Sequence, residues 1–190
     1  MSGMWRYLCV FVVVAAVAAG AGCDWIGGGS AAPRQRSIDE LAGSYRGVGL
    51  GDPRSAAIHV FGRPDSTGNP AHPSNADGWP ISLQNPPGYL EKPDFTNYDG
   101  VTFLSTPTAA GIHSSVVTDP RAATTRGVGI GDALSDARQA YPTLHCAKAR
   151  SMSENETAPP FCAGRLARNR YIWFGNDPIR VIALSPTSMG

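Results

Sequence analysis

Apolar residues in this 190-residue chain fall into one continuous run, three helix-spaced groups and several short solid bursts. Tyr7 to Ala19 form the continuous run. As a helix it would reach about 20 Å, short of the roughly 30 Å bilayer core. With Arg6 just before it, the run reads as the apolar segment of an export signal. Ile38, Leu41 and Tyr45 have helical spacing, and Ser37-Ile38-Asp39-Glu40 has the S-x-x-E pattern of a capping box. A short helix through Tyr45 is therefore predicted. Asp52-Pro53 predicts a second helix start, with Ala57, Ile58 and Phe61 on its apolar side and Gly62 and Pro64 ending it. Asp132 predicts a third, carrying Leu134, Ala137, Ala140 and Tyr141 and stopped by Pro142. Val101–Leu104, Ile112–Thr118, Tyr171–Phe174 and Ile179–Leu184 read as strands, with turn chemistry at 107–111 and 175–178.

The second and third helix starts follow a stretch that the chain writes twice. Arg46-Gly47-Val48-Gly49-Leu50-Gly51-Asp52 returns 80 positions later as Arg126-Gly127-Val128-Gly129-Ile130-Gly131-Asp132. At the same offset Ser55 matches Ser135, Ala57 matches Ala137 and Phe61 matches Tyr141. Each copy leads into a helix, a loop and a hairpin. The first loop, 63–94, holds seven prolines and the aromatics Trp79 and Tyr89; the second, 147–161, is polar and shorter. Asp119-Pro120 and Ser185-Pro186 close the two units. The predicted organisation is a signal peptide 1–22, a linker 23–36, a first repeat 37–120 and a second repeat 121–190.

The Gly-Val-Gly-(Leu/Ile)-Gly-Asp signature resembles a known unit. A short helix ending at Phe61-Gly62-Arg63-Pro64 or Tyr141-Pro142 follows it, and then a hairpin. The pattern is similar to the repeat of BamE/SmpA-like and β-lactamase-inhibitor-protein-like domains, over residues 46–186. The resemblance implies an α+β fold: two tandem helix-plus-β-hairpin repeats forming one antiparallel sheet, with helices packed on one side. It also implies an exported protein, often a lipoprotein, that binds other proteins.

Composition and cysteines add an address. Removing 1–22 takes away Arg6 and leaves 15 basic and 15 acidic side chains, so no basic field points to nucleic acid. Ala19-Gly20-Ala21 fits ordinary signal cleavage. Gly20-Ala21-Gly22-Cys23 resembles the lipobox of bacterial lipoproteins, with Gly20 where that family carries an aliphatic residue, and would make Cys23 the acylated first residue. If Cys23 is acylated, the body keeps Cys146 and Cys162, an even pair suited to an oxidising compartment. Gly27 to Pro33 is a flexible tether by composition.

Catalytic chemistry is poorly advertised. G-x-G-x-G lacks the spacing and the Lys of a phosphate loop. Asp52 and Asp132 have sufficient work as helix caps. His145-Cys146 with Cys162 falls short of a four-ligand zinc set, so a Cys146–Cys162 disulfide is predicted and no metal or cofactor. The remaining histidines, His59, His72 and His113, lie on different predicted segments, and no G-x-S-x-G is present. Trp79, Tyr89, Tyr171 and Trp173 are the candidate partner-binding residues, since exposed aromatics anchor interfaces. The sequence thus predicts a non-enzymatic envelope lipoprotein that binds a protein or envelope component. The alternatives are secretion without an anchor, a small-ligand or metal carrier, and an extracytoplasmic hydrolase.

Overall fold

The computed structural model describes residues 35–67, 94–105, 111–153 and 156–186. Cys23, Trp79, Tyr89, the signal segment and most of the proline-rich loop lie outside them. All described residues belong to one compact unit, Ala31–Gly190.

The described chain is mostly β. Fourteen strands accompany two helices of 8 and 7 residues, α1 (Arg54–Phe61) and α2 (Leu134–Ala140). Strands β1 (Gln35–Asp39), β2 (Ser44–Tyr45), β3 (Val48–Gly49) and β8 (Ala122–Thr124) form a four-stranded sheet in the order β3-β2-β1-β8. An eight-stranded sheet runs β4-β5-β6-β7-β14-β13-β12-β9. Its members are β4 (Ser66–Thr67), β5 (Asp94–Tyr98), β6 (Val101–Ser105), β7 (Ile112–Val117), β9 (His145–Ala147), β12 (Phe161–Ala167), β13 (Arg170–Gly175) and β14 (Val181–Ser185). A separate hairpin, β10 (Arg150–Ser153) with β11 (Glu156–Ala158), sits within the stretch predicted to be a plain polar loop.

This architecture overturns the predicted α+β arrangement of two helix-plus-hairpin repeats on one sheet. The physical reason starts at Asp39. Its carboxylate accepts the amides of Leu41 at 3.1 Å and Ala42 at 2.9 Å, which turns the chain, and Gly43 follows at φ 71°. What looked like a capped helix over 37–45 is the β1–β2 hairpin. Glu40, the supposed partner in a capping box, is instead 2% exposed. It accepts from Thr125 N–H at 3.1 Å, Thr125 Oγ1 at 2.7 Å and the Tyr141 hydroxyl at 2.7 Å. Long-range partners outweigh local helix propensity here.

Asp52 and Asp132 also work differently from the caps predicted. Each carboxylate accepts the amide three residues back, Gly49 and Gly129, both at 2.8 Å. They lock the glycine turn rather than the helix. Gly51 and Gly131 stand at φ 93° and 90°, which only glycine adopts freely. Each then donates to the second half of its own repeat, Gly51 to Ile112 O on β7 and Gly131 to Ile179 O in the turn before β14, at 2.8 Å. The α2 N-terminus is capped from afar, by Asp177 on Leu134 N–H.

Four strands of the large sheet come from each repeat and meet at the antiparallel β7–β14 seam, where Val116 faces Ala183. The wiring on the two sides is equivalent: β4-β5-β6-β7 answers β9-β12-β13-β14. One face packs Val101, Phe103, Val117, Ile172, Phe174, Ile182 and Leu184 with Ala57, Ala137 and Tyr141 of the helix regions and with Ile38, Tyr45 and Val48 of the small sheet. Ile58, predicted apolar-side, is 45% exposed. Arg46 lies over Phe61 and Arg126 over Tyr141, at 5.0 and 4.7 Å, so the repeat's arginine covers its own aromatic in both copies.

Candidate functional site

The second face of the large sheet gathers Phe95, Leu104, Val116, Trp173, Val181 and Ala183, with Phe161, Ala163 and Tyr171 packed beside them. Strand alternation puts Ile172 and Phe174 in the main core and sends Tyr171 and Trp173 to this face. Phe161 stacks on Trp173 with centroids 4.0 Å apart and planes 13° from parallel. Trp173 is 7% exposed, whereas Phe161, Ala163 and Tyr171 are half-buried. Tyr171 stands opposite the exposed Arg165 on β12.

A single row of paired residues crosses this face. It reads His145, Ala163, Trp173, Ala183 on the second-repeat side and Val116, Thr102, Asn97, Ser66 on the first. The first-repeat half is a polar ladder. Thr102 Oγ1 donates to Asn97 Oδ1 at 2.9 Å, and Asn97 Nδ2 donates to Ser66 Oγ at 3.0 Å. The second-repeat half is aromatic and small-apolar.

Charge is buried at two cross-braces between segments far apart in the chain. One is Glu40 with Thr125 and Tyr141, described above. The other is Asp119, which receives the Tyr45 hydroxyl at 2.9 Å and Arg121 through N–H at 2.9 Å, Nε at 3.1 Å and a terminal nitrogen at 3.2 Å. Burial alone would raise the Asp119 pKa, but the Arg121 and Tyr45 hydrogen bonds outweigh it and hold the carboxyl below its ordinary value. Burial, then Asp119, pushes Tyr45 up to about 12. Burial also raises Tyr141, with Glu40 adding and Thr124 opposing. A hollow of about 380 Å³ opens beside this brace, lined by Asp99, Gly100, Thr118, Asp119, Pro120 and Arg121. Asp119 already takes four donors, so it is a joint rather than an acid, a base or a cation ligand.

Among the described residues the histidines are not assembled, and His72 lies outside them. His59 is exposed on α1, and His145 is exposed on β9. His113 sits on β7 with Nδ1 2.8 Å from Ser114 Oγ, and burial lowers its pKa. Among the described residues no three His, Cys, Asp or Glu side chains could hold a metal ion. Cys146 and Cys162 are joined by a disulfide, and they pair directly across β9 and β12. Among the described residues no helix is long and apolar enough to cross a membrane.

Sequence reasoning missed that the repeat begins earlier than Arg46. Asp39 and Asp119, also 80 apart, each accept the amide two residues on, Leu41 and Arg121. The shared Asp at that offset was the available signal, hidden because its neighbours differ.

No family model matches this sequence, and no curated protein matches it. Among solved structures the chain is similar to an extracellular protein containing an SCP domain from Bacillus anthracis. The TM-score is 0.46 at 11% identity, over 84% of this chain and 49% of that one. This chain therefore spans about half the length of that protein.

Proposed function

We propose that this is an exported envelope protein, anchored by lipid on Cys23, that acts by binding a protein or envelope component rather than by catalysis. The observation that carries the reading is the second sheet face, where Phe161, Ala163 and Tyr171 lie half-buried around a buried Trp173. Aromatic anchors with an adjacent Arg are the composition of interface hot spots. The buried carboxylates Glu40 and Asp119 are both taken up by structural donors, which fits a role in holding the fold.

Two measurements test the reading. Cys23→Ser is expected to move the protein from the membrane fraction to the medium, and unchanged fractionation removes the anchor. In-cell crosslinking of the anchored protein is expected to capture neighbours that a Phe161→Ser/Tyr171→Ala variant loses. Capture that the variant leaves intact removes this face as the contact.

A further inference from the structure

The two repeats close their central hairpins differently. In the first, Tyr98 and Val101 face each other and Asp99-Gly100 joins them directly. In the second, the corresponding pair is Gly164 and Ile172, and seven residues, Arg165 to Tyr171, run between them. The β12–β13 hairpin thus projects beyond its counterpart as an arm. The added segment, Arg-Leu-Ala-Arg-Asn-Arg-Tyr, holds three arginines, and no acidic residue occurs between Glu156 and Asp177.

Among the described residues the arm's arginines make no ion pair. Arg165 and Arg168 are exposed and Arg170 is half-buried. Arg165 Nε donates to Ala167 O at 3.2 Å; Arg170 donates to Ala42 O at 3.1 Å and to Asn169 O at 2.7 Å. Carbonyl partners satisfy hydrogen bonds but cancel no charge. Among the described residues the ion pairs are Arg54–Asp94 and Arg121–Asp119, and neither involves the arm. Asp39 lies on the turn that Arg170 touches, but its Oδ1 faces the Leu41 and Ala42 amides.

We propose that this arm is a contact for an anionic lipid surface, orienting the tethered body against the membrane that holds it. The proposal rests on the anchored reading for its choice of lipid over acidic polypeptide. Only twelve positions separate Cys23 from Gln35, and a chain of that length reaches at most about 40 Å, which keeps the body close to the bilayer. One anchor gains most from a basic patch that engages anionic headgroups, and each arginine near such a surface strengthens partition about five-fold. Tyr171, half-buried opposite Arg165, supplies the amphipathic ring that suits the headgroup level.

The test uses the full exported chain carrying Cys23→Ser, so that no acyl chain contributes, sedimented with vesicles. The protein is expected to pellet with phosphatidylcholine–phosphatidylglycerol vesicles and not with phosphatidylcholine alone. Binding should vanish in 1 M salt, where the screening length is about 3 Å. Arg165→Gln/Arg168→Gln is expected to weaken binding about five-fold per arginine, with circular dichroism and melting midpoint unchanged. Three results overturn the proposal: no pelleting with the anionic vesicles, equal pelleting with neutral ones, or binding untouched by the double variant. Binding to polyglutamate without binding to vesicles also overturns it, in favour of an acidic polypeptide. Because the anchor is absent from this assay, a failure here leaves the fractionation test of Cys23 standing by itself.

Discussion

Across the β7–β14 seam the row Ala183, Trp173, Ala163 continues the row Val116, Thr102, Asn97 on the same face of one sheet. Strand for strand the two halves are wired alike, and Phe95 and Leu104 put apolar residues on the first half too, yet along this one row the second half is aromatic and small-apolar and the first a hydrogen-bonded polar ladder. A disulfide fastens the edge of the aromatic half, at Cys146 and Cys162. The same place in the polar half holds the facing pair Thr67 and Thr96. Backbone pairing is therefore what duplication preserved, while side chains diverged wherever the main core did not constrain them. The lesson is that the shared parts of the repeat explain the fold, and the unshared parts are where recognition chemistry belongs.

Substitutions at equivalent positions can break this contrast. Trp173→Ala should cost the most, about 3–5 kcal/mol, because a large buried ring leaves a cavity. Its counterpart Thr102→Ala should cost about 1 kcal/mol, the loss of one hydrogen bond to Asn97. Denaturant unfolding of both variants measures the difference, and equal costs would show that the aromatic half carries no extra burial. Next comes the edge: Cys146→Ser/Cys162→Ser should cost about 3 kcal/mol on the chain-entropy model. Installing Thr67→Cys/Thr96→Cys should form a matching bridge in the first repeat, and two free thiols on titration would deny the equivalence.

The cross-brace at Asp119 sharpens the comparison through pH. Tyr45 is pushed up to about 12 from an ordinary 10.0, so its contribution is fully present below pH 10 and is lost as pH rises toward 12. The shift corresponds to about 3 kcal/mol. Asp119 is shifted the other way, so its contribution holds above its ordinary value of 3.8 and fades as pH falls through the lowered folded value. Melting midpoints over a pH series should therefore drop at both ends, and Tyr45→Phe should remove Tyr45's share of the alkaline loss. An unchanged alkaline limb in that variant would mean that Tyr45 does not control it. Asn97→Ala, which loses the Thr102 and Ser66 hydrogen bonds, is expected to cost about 1 kcal/mol, comparable to Thr102→Ala because the Ser66 bond is exposed.

Local signals were legible in the sequence, and remote ones were not. Gly62 and Pro142 end helices because their chemistry acts on adjacent residues, and Val101–Leu104 and Tyr171–Phe174 form strands because solid apolar runs need two buried faces. Glu40 misled because its spacing from Ser37 is that of a cap, while its partners sit 85 and 101 positions away. Asp52 and Asp132 misled because an aspartate before a helix can accept amides on either side of itself. Of the candidate site, alternation separated Tyr171 and Trp173 from Ile172 and Phe174. The stacking partner of Trp173, Phe161, comes from β12, a strand that the Gly164 and Arg165 interruptions hid. The arm was invisible for a related reason: its meaning depends on comparison with the Asp99-Gly100 turn, which only strand register supplies.

The parallel pairing of β1 with β8 sets a condition on how the molecule comes into being. Ribosomes deliver Gln35–Asp39 first, but Ala122–Thr124 arrive more than eighty residues later. Until then Glu40 lacks Thr125 and Tyr141, and Tyr45 lacks Asp119. A nascent or truncated first repeat thus has no completed resting state. The predicted consequence is all-or-none maturation, in which fragments ending before β8 are removed by proteases and only the finished chain survives.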